Sequence, residues 1–140
     1  MKRFIPLILL PVFAAVLAKP GLIGTGTGFV VAKNYVLTAA HVLEECDSAT
    51  VRFNFEEIHA EIVAMDVVND LGLLKTDTNF QTVARFRSGK LIRLGETVVN
   101  FGYPLFGELS DHAKITKGEI NSLAGWANNS GLLRYDAATQ

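Results

Sequence analysis

Residues 24–42 read GTGTGFVVAKNYVLTAAHV, and this run predicts a β-hairpin that leads into a histidine. The two strands are predicted at 27–32 and 35–38, where β-branched and aromatic side chains dominate. The dipeptide KN lies between them, and a two-residue connection of this kind is typical of a tight hairpin. The AAHVLEE run that follows predicts one or two helical turns, with His41 near their start.

Several more short strand signals follow the hairpin. Residues 49–55 alternate Val51, Phe53 and Phe55 with polar neighbours, which predicts a strand with one buried face. Many short strands punctuated by glycine-rich turns favour an all-β barrel or sandwich. The first strand group has about five members and the second about three, too few to close, so the second unit is predicted to be unfinished. The remaining strands are predicted at 58–65, 71–75, 97–101, 113–123 and 132–135.

The composition of the 140-residue chain excludes several classes of protein. Hydrophobic residues make up 49% and charged residues 19%, which suits a packed globular core. The net charge of −1 provides no positive field, so we expect no nucleic-acid partner. A single cysteine, Cys46, excludes an intramolecular disulfide framework. The chain has neither zinc-ligand spacing nor a phosphate-binding glycine loop, so no metal and no cofactor are expected.

The N-terminus has the three-part pattern of a secretory leader. A short basic head precedes an apolar run at 4–17, and the small side chains of Val16 and Ala18 suit a signal peptidase. A membrane anchor is the alternative, but the run is short for the roughly 20 residues of a spanning helix. We therefore predict a signal peptide at 1–18, a periplasmic or extracellular location, and no membrane association after cleavage.

His41 and Asp70 form the candidate catalytic pair. Each is predicted beside a strand end, His41 after YVLT and Asp70 before LGLLK. A carboxylate that accepts the Nδ1 proton of an imidazole fixes its tautomer and stabilises the imidazolium formed during proton transfer. Spacing alone is a weak signal, because a structural histidine and a structural aspartate occur in most proteins.

An ordered series of segments resembles the trypsin-like serine peptidases, specifically the disulfide-free HtrA/Do type. GTGTGFVV, YVLTAAHV and DLGLLK are similar to the family's G-x-G-F strand, its T-x-x-H-V segment and its D-[IL]-A-[LV]-L-K-like strand. LGETVVNFGYP at 94–104 resembles the G-x-x-V-x-x-x-G-x-P opening of the second barrel. ITKGEI and LRYDAATQ are similar to the two segments that follow it, so the resemblance runs from Gly24 to Gln140.

The resemblance implies an all-β, chymotrypsin-like double β-barrel, with the first barrel complete and the second incomplete. It implies an N-terminal barrel at 19–88 that carries the catalytic His41 and Asp70, and the start of a C-terminal barrel at 89–140. His41 would be the general base, Asp70 would orient it, and the substrates would be polypeptides. The oligomers that this family forms make a homo-oligomer a further expectation.

The nucleophile of the family follows the D-A-A-like segment in a G-N-S-G-G turn, and no G-x-S-G-G occurs in this chain. Ser130 lacks the second glycine and precedes Asp136, so we interpret it as a loop residue. The prediction is an exported serine endopeptidase whose nucleophile lies beyond Gln140, with the 140-residue chain inactive by itself. The alternative is a non-catalytic β-barrel binding module derived from the peptidase fold.

Other polar residues are given structural roles. Asp66, four residues before Asp70, is interpreted as a turn residue. Asp136 either lies near the substrate pocket or holds its loop through backbone hydrogen bonds, and the second role is favoured. His59, His112 and Cys46 are interpreted as surface or packing residues.

Overall fold

The computed structural model describes residues 13–19, 24–103 and 113–138. Their backbone contacts divide into two compact units. The first contains the described residues up to Arg85 together with Tyr103, and the second contains Phe86–Gly102 and the described residues from Ala113 onward. The strands of both units pair in antiparallel fashion, which confirms the all-β prediction. Within the described ranges there is no helix with the length and apolar character that crossing a membrane requires.

The first unit is a closed six-stranded barrel. Around the barrel the order is β1-β2-β3-β6-β5-β4, and β1 pairs with both β2 and β4. Closure of this kind leaves no free strand edge. The strands are β1 (Phe13–Lys19), β2 (Thr25–Ala32), β3 (Tyr35–Thr38), β4 (Ser48–Phe53), β5 (Glu56–Asp66) and β6 (Leu71–Thr76).

Aliphatic side chains from every wall fill the interior of this barrel. Val30, Val36, Val51 and Leu74 come from four different strands, and each is fully buried. This packing follows from the alternation of the strands, because successive side chains point to opposite faces. The barrel is therefore a solid core on which surface residues can be held in fixed positions.

Strand β1 adds a sixth strand to the about five expected in this unit, and it lies within residues 1–18, whose assignment to a signal peptide stays a prediction. Ala14 and Val16 are fully buried in the barrel core. A cleavage after Ala18 would remove all of β1 except Lys19, and with it the ladders to β2 and β4. A chain cleaved after Ala18 would therefore lack the strand that closes the barrel between β2 and β4.

The hairpin of β4 and β5 differs from the predicted strand at 49–55. Strand β4 ends at Phe53, and Asn54 and Phe55 form the turn with φ angles of 50° and 67°. Positive φ at both central residues gives the mirror-image turn whose twist matches that of a hairpin. Phe55 is consequently 87% exposed instead of buried. The expectation that it continues the buried face was wrong, because the alternation of aromatic residues runs on into the turn.

The second unit is an open sheet of three strands in the order β7-β8-β9. The prediction of an unfinished second barrel is confirmed. Before β7, the guanidinium of Arg87 donates hydrogen bonds to the carboxylate of Glu96 and to the carbonyls of Lys90 and Leu91. The Arg87 side chain lowers the pKa of Glu96 below its ordinary value. The strands are β7 (Thr97–Gly102), β8 (Lys114–Ser122) and β9 (Arg134–Tyr135).

Candidate active site

His41 lies in a single 3-10 turn, Ala40–Leu43, which we call the His41 turn. It follows β3 directly and matches the helical segment predicted at this place. Ala40, Val42 and Leu43 are buried, whereas the side chain of His41 is 67% exposed. The apolar residues attach the turn to the barrel, and the imidazole faces solvent.

Two glycines allow the His41 turn to lie close against the strands. A Cβ atom at Gly26 of β2 would stand 2.7 Å from Cγ2 of Val42. A Cβ atom at Gly72 of β6 would stand 2.6 Å from Cδ1 of Leu43. Carbon atoms in well-packed proteins lie about 3.5–4.0 Å apart, so any larger residue would displace the turn. The glycines therefore set the depth at which the histidine is held.

Thr38 fixes the end of β3, three residues before the histidine. Its side chain is buried, and its hydroxyl donates a hydrogen bond of 2.9 Å to the carbonyl oxygen of Thr27. A buried hydroxyl needs such a partner, since leaving it unpaired is costly. The threonine of the T-x-x-H pattern thus has a structural role in this barrel.

Asp70 occupies the last position of the turn between β5 and β6. Its φ is 54°, in the left-handed region that few residues other than glycine adopt, although Asp and Asn enter it most readily. In this conformation the carboxylate reaches the His41 turn. The sequence gives no direct signal of this backbone geometry beyond the presence of Asn69 and Asp70 in a turn.

Both oxygens of the Asp70 carboxylate contact His41. Oδ1 accepts the backbone N–H of His41 at 2.9 Å, and Oδ2 lies 2.8 Å from the imidazole Nδ1. An ionised carboxylate is an acceptor only, so the proton of the neutral imidazole belongs on Nδ1 and Nε2 carries the lone pair. Among the described residues no second partner to the ring is found. The geometry leaves Nε2 able to accept a proton from another group.

The same hydrogen bonds change the pKa of the Asp70 carboxylate. The backbone N–H of His41, followed by its side chain, lowers the pKa of Asp70 below the ordinary value. Asp70 is therefore ionised at neutral pH, as an imidazolium partner requires. The sequence predicted the pairing with the ring, but the backbone contact to Oδ1 is visible only in the structure.

Two other acidic residues have the structural roles that were favoured. Asp66 accepts hydrogen bonds from the backbone N–H and from the side-chain amide of Asn69, which confirms its interpretation as a turn residue. Asp136 accepts a hydrogen bond of 2.6 Å from the backbone N–H of Glu119, which agrees with the expectation that it holds its loop through backbone hydrogen bonds. Gly118 permits this contact, because a Cβ there would collide with Asp136 and Ala137.

Among the described residues, no hydrogen bond joins Ser130, His59 or Cys46 to His41 or Asp70. Ser130 is in an exposed turn of the second unit. His59 is exposed on β5, opposite Thr50 of β4. Cys46 is half-buried, and its thiol donates to the carbonyl of Glu44. His112 is outside the described residues.

Serine proteases are among the known proteins with similar sequences. A relative from Sinorhizobium fredii, the uncharacterized protein y4bJ, is 36% identical over 117 residues, which cover 82% of this chain and 18% of the relative. The serine protease Do-like HtrA of Lactobacillus helveticus is 30% identical over 113 residues, which cover 76% and 27%. A probable periplasmic serine endoprotease, DegP-like, of Hahella chejuensis is 33% identical over 101 residues, which cover 71% and 22%. The chain thus spans only 18–27% of the length of these relatives.

Solved structures agree on the fold. The serine endoprotease from Yersinia pestis superposes with a TM-score of 0.73 at 24% identity, over 85% of this chain and 43% of that one. This similarity confirms the chymotrypsin-like architecture of the barrel and the sheet. The sequence profile of the trypsin-like peptidase domain matches residues 26–140. The chain belongs to the trypsin-like peptidase family, and its named relatives are of the HtrA/DegP type.

Proposed function

We propose that this chain is the N-terminal part of the catalytic unit of a serine endopeptidase. His41 is the general base, Asp70 orients it, and a serine beyond Gln140 is the nucleophile. The observation that carries the proposal is the two-point contact of the Asp70 carboxylate with the backbone and the ring of His41. A carboxylate held in this way fixes the rotation of the imidazole as well as its tautomer.

The mechanism follows from the free Nε2 atom. The serine hydroxyl gives its proton to Nε2 while its oxygen attacks the scissile carbonyl carbon. The imidazolium is stabilised by the Asp70 carboxylate, which stays ionised. The proton then passes from Nε2 to the leaving amine, and an acyl-enzyme remains. A water molecule, deprotonated in turn by Nε2, hydrolyses the ester and restores the serine.

The substrates we infer are polypeptides in an exported compartment. The relatives named as serine proteases support the substrate class, and the relative named as periplasmic supports the compartment. The basic head and apolar run of the N-terminus also favour export. A cleavage after Ala18 conflicts with the position of β1, so processing at that site would demand another strand in its place.

A second candidate is a non-catalytic binding module built on the same barrel. The 140 residues hold no G-x-S-G-G sequence, which fits this candidate as well as it fits a serine beyond Gln140. For the same reason we expect no peptidase turnover from the 140-residue chain alone, because loss of the nucleophile lowers the rate by several orders of magnitude.

The proposal is tested on the full-length protein with an unfolded polypeptide such as casein as substrate. His41→Ala removes the base and is expected to lower kcat by about a thousandfold or more. His59→Ala is the matched control, because His59 is an exposed histidine of the same barrel with no contact to Asp70. Equal turnover by the wild type and by His41→Ala would reject His41 as the general base, and a full-length wild type that hydrolyses no casein would favour the binding module.

A further inference from the structure

The turn that carries Asp70 has little apolar packing to hold it. Strand β5 ends at Asp66, and the connection to β6 runs through Val67, Val68, Asn69 and Asp70. Val68 is 94% exposed and Val67 is 69% exposed, so burial contributes little to the shape of the turn. The backbone hydrogen bond from Asp70 N–H to the Val67 carbonyl is long, at 3.4 Å. Other interactions must keep Asp70 in its left-handed conformation.

Those interactions come from the carboxylate of Asp66. Its Oδ1 accepts the backbone N–H of Asn69 at 3.1 Å, and its Oδ2 accepts the Asn69 side-chain amide at 2.7 Å. The Asp66 carboxylate thus accepts two hydrogen bonds from Asn69, the residue before Asp70. The two hydrogen bonds from Asn69 also lower the pKa of Asp66, so the acceptor is ionised at neutral pH.

We propose that Asp66 and Asn69 are positioning residues that hold Asp70 in the left-handed conformation from which its carboxylate reaches His41. Neither residue makes a hydrogen bond with His41 itself, whose partner is Asp70. A non-glycine residue at φ 54° relaxes to negative φ when its neighbours allow it. Such a relaxation redirects the Asp70 side chain and breaks its contacts with the backbone and the ring of His41.

The inference rests on the proposed function for its effect on catalysis, but its structural part can be measured without it. In the 140-residue chain, carbon NMR of the Asp70 carboxyl reports its pKa, and the Nδ1 proton of His41 reports the hydrogen bond. Asp66→Ala is expected to raise the pKa of Asp70 toward its ordinary value and to shift the Nδ1 proton upfield or broaden it. Asn69→Ala removes only the 2.7 Å bond and is expected to do the same to a smaller degree.

Catalysis gives the second measurement, on the full-length protein. We expect Asp66→Ala to lower kcat by about ten- to a hundredfold with little change in KM, as a displaced catalytic group would. Asp66→Asn keeps one acceptor oxygen and should recover part of the loss. Asp77→Ala is the matched control, since Asp77 is an exposed aspartate just after β6.

The two measurements distinguish a failure of the positioning role from a failure of the proposed peptidase function. If Asp66→Ala and Asn69→Ala leave the pKa of Asp70 and the Nδ1 proton unchanged in a folded chain, the positioning role is overturned. If the NMR signals shift as expected but the full-length wild type hydrolyses no peptide, the positioning role stands and the proposed function fails. A loss of kcat equal in Asp66→Ala and Asp77→Ala would also overturn the inference, because it would reflect charge alone.

Discussion

The contact between Leu43 and Gly72 determines how deeply the His41 turn lies on the barrel. Leu43 is 1% exposed, and its Cδ1 occupies the space that a side chain at position 72 would need. Leu43→Ala shortens a buried isobutyl side chain to a methyl group and leaves a cavity, at a cost of about 3 kcal/mol. Gly72→Ala instead places a methyl group 2.6 Å from that Cδ1 and is expected to cost about 1–2 kcal/mol by overpacking.

The two substitutions should compensate each other. In the double variant the methyl group at position 72 enters the space that Leu43 has left, so the collision is gone and the cavity is smaller. We expect the double variant to be at least about 1 kcal/mol more stable than the sum of the single effects predicts, as for residues in direct contact. Leu43→Ala alone should lower Tm by about 12–24 °C, given the size of the barrel.

The assay is urea unfolding monitored by far-UV circular dichroism. The wild type, the two single variants and the double variant are fitted with a common m-value. The single tryptophan, Trp126, lies in the second unit and is therefore a poor probe of the barrel. Additivity within about 0.4 kcal/mol would mean that the side chain of Leu43 and a side chain at position 72 do not share one space. An unchanged stability of Gly72→Ala would refute the collision by itself.

Further predictions concern the second unit, acid stability and the N-terminus. Gly118→Ala should displace Ala137 from β8 and speed the hydrogen exchange of nearby backbone amides, because the added Cβ would collide with the Ala137 backbone; unchanged exchange rates would contradict this collision. The pKa values of Asp66 and Asp70 are lowered in the folded chain, so their stabilising contribution is present above the ordinary carboxyl pKa of about 4 and is lost as pH falls through the folded values. The urea midpoint should therefore fall below about pH 4, and less so in Asp66→Ala; an equal fall in both would contradict the assignment. A chain without residues 1–18 should unfold at lower urea than the whole chain because it lacks β1, and equal midpoints would show that β1 is dispensable.

The sequence predicted those parts of the fold that depend on local pattern. The hairpin of β2 and β3 was predicted from β-branched runs around a two-residue turn, and the structure has it at the same residues within two positions. The pairing of His41 with Asp70 was predicted from the order of family-like segments and not from spacing. The structure brings the two together because Tyr35–Thr38 and Leu71–Thr76 are neighbouring strands of the barrel.

The features that were missed have a common physical cause, since each depends on what a residue meets in space. Strand β1 has an apolar, small-residue composition that also predicts a leader, and its pairing with β2 and β4 is visible only in the structure. Phe55 continues an alternating pattern but lies in a turn with positive φ. The left-handed Asp70 and the carboxylate of Asp66 that supports it involve side-chain hydrogen bonds, which composition and periodicity do not encode.

The central claim is that His41 and Asp70 serve a serine nucleophile. The most direct measurement is to treat the full-length protein with an active-site-directed fluorophosphonate and to locate the modified residue by mass spectrometry. We expect one labelled serine in a G-x-S-G-G sequence within about ten residues after Gln140, and loss of the label in His41→Ala. A full-length protein that takes up no label, or one that is labelled equally in the wild type and in His41→Ala, would contradict it.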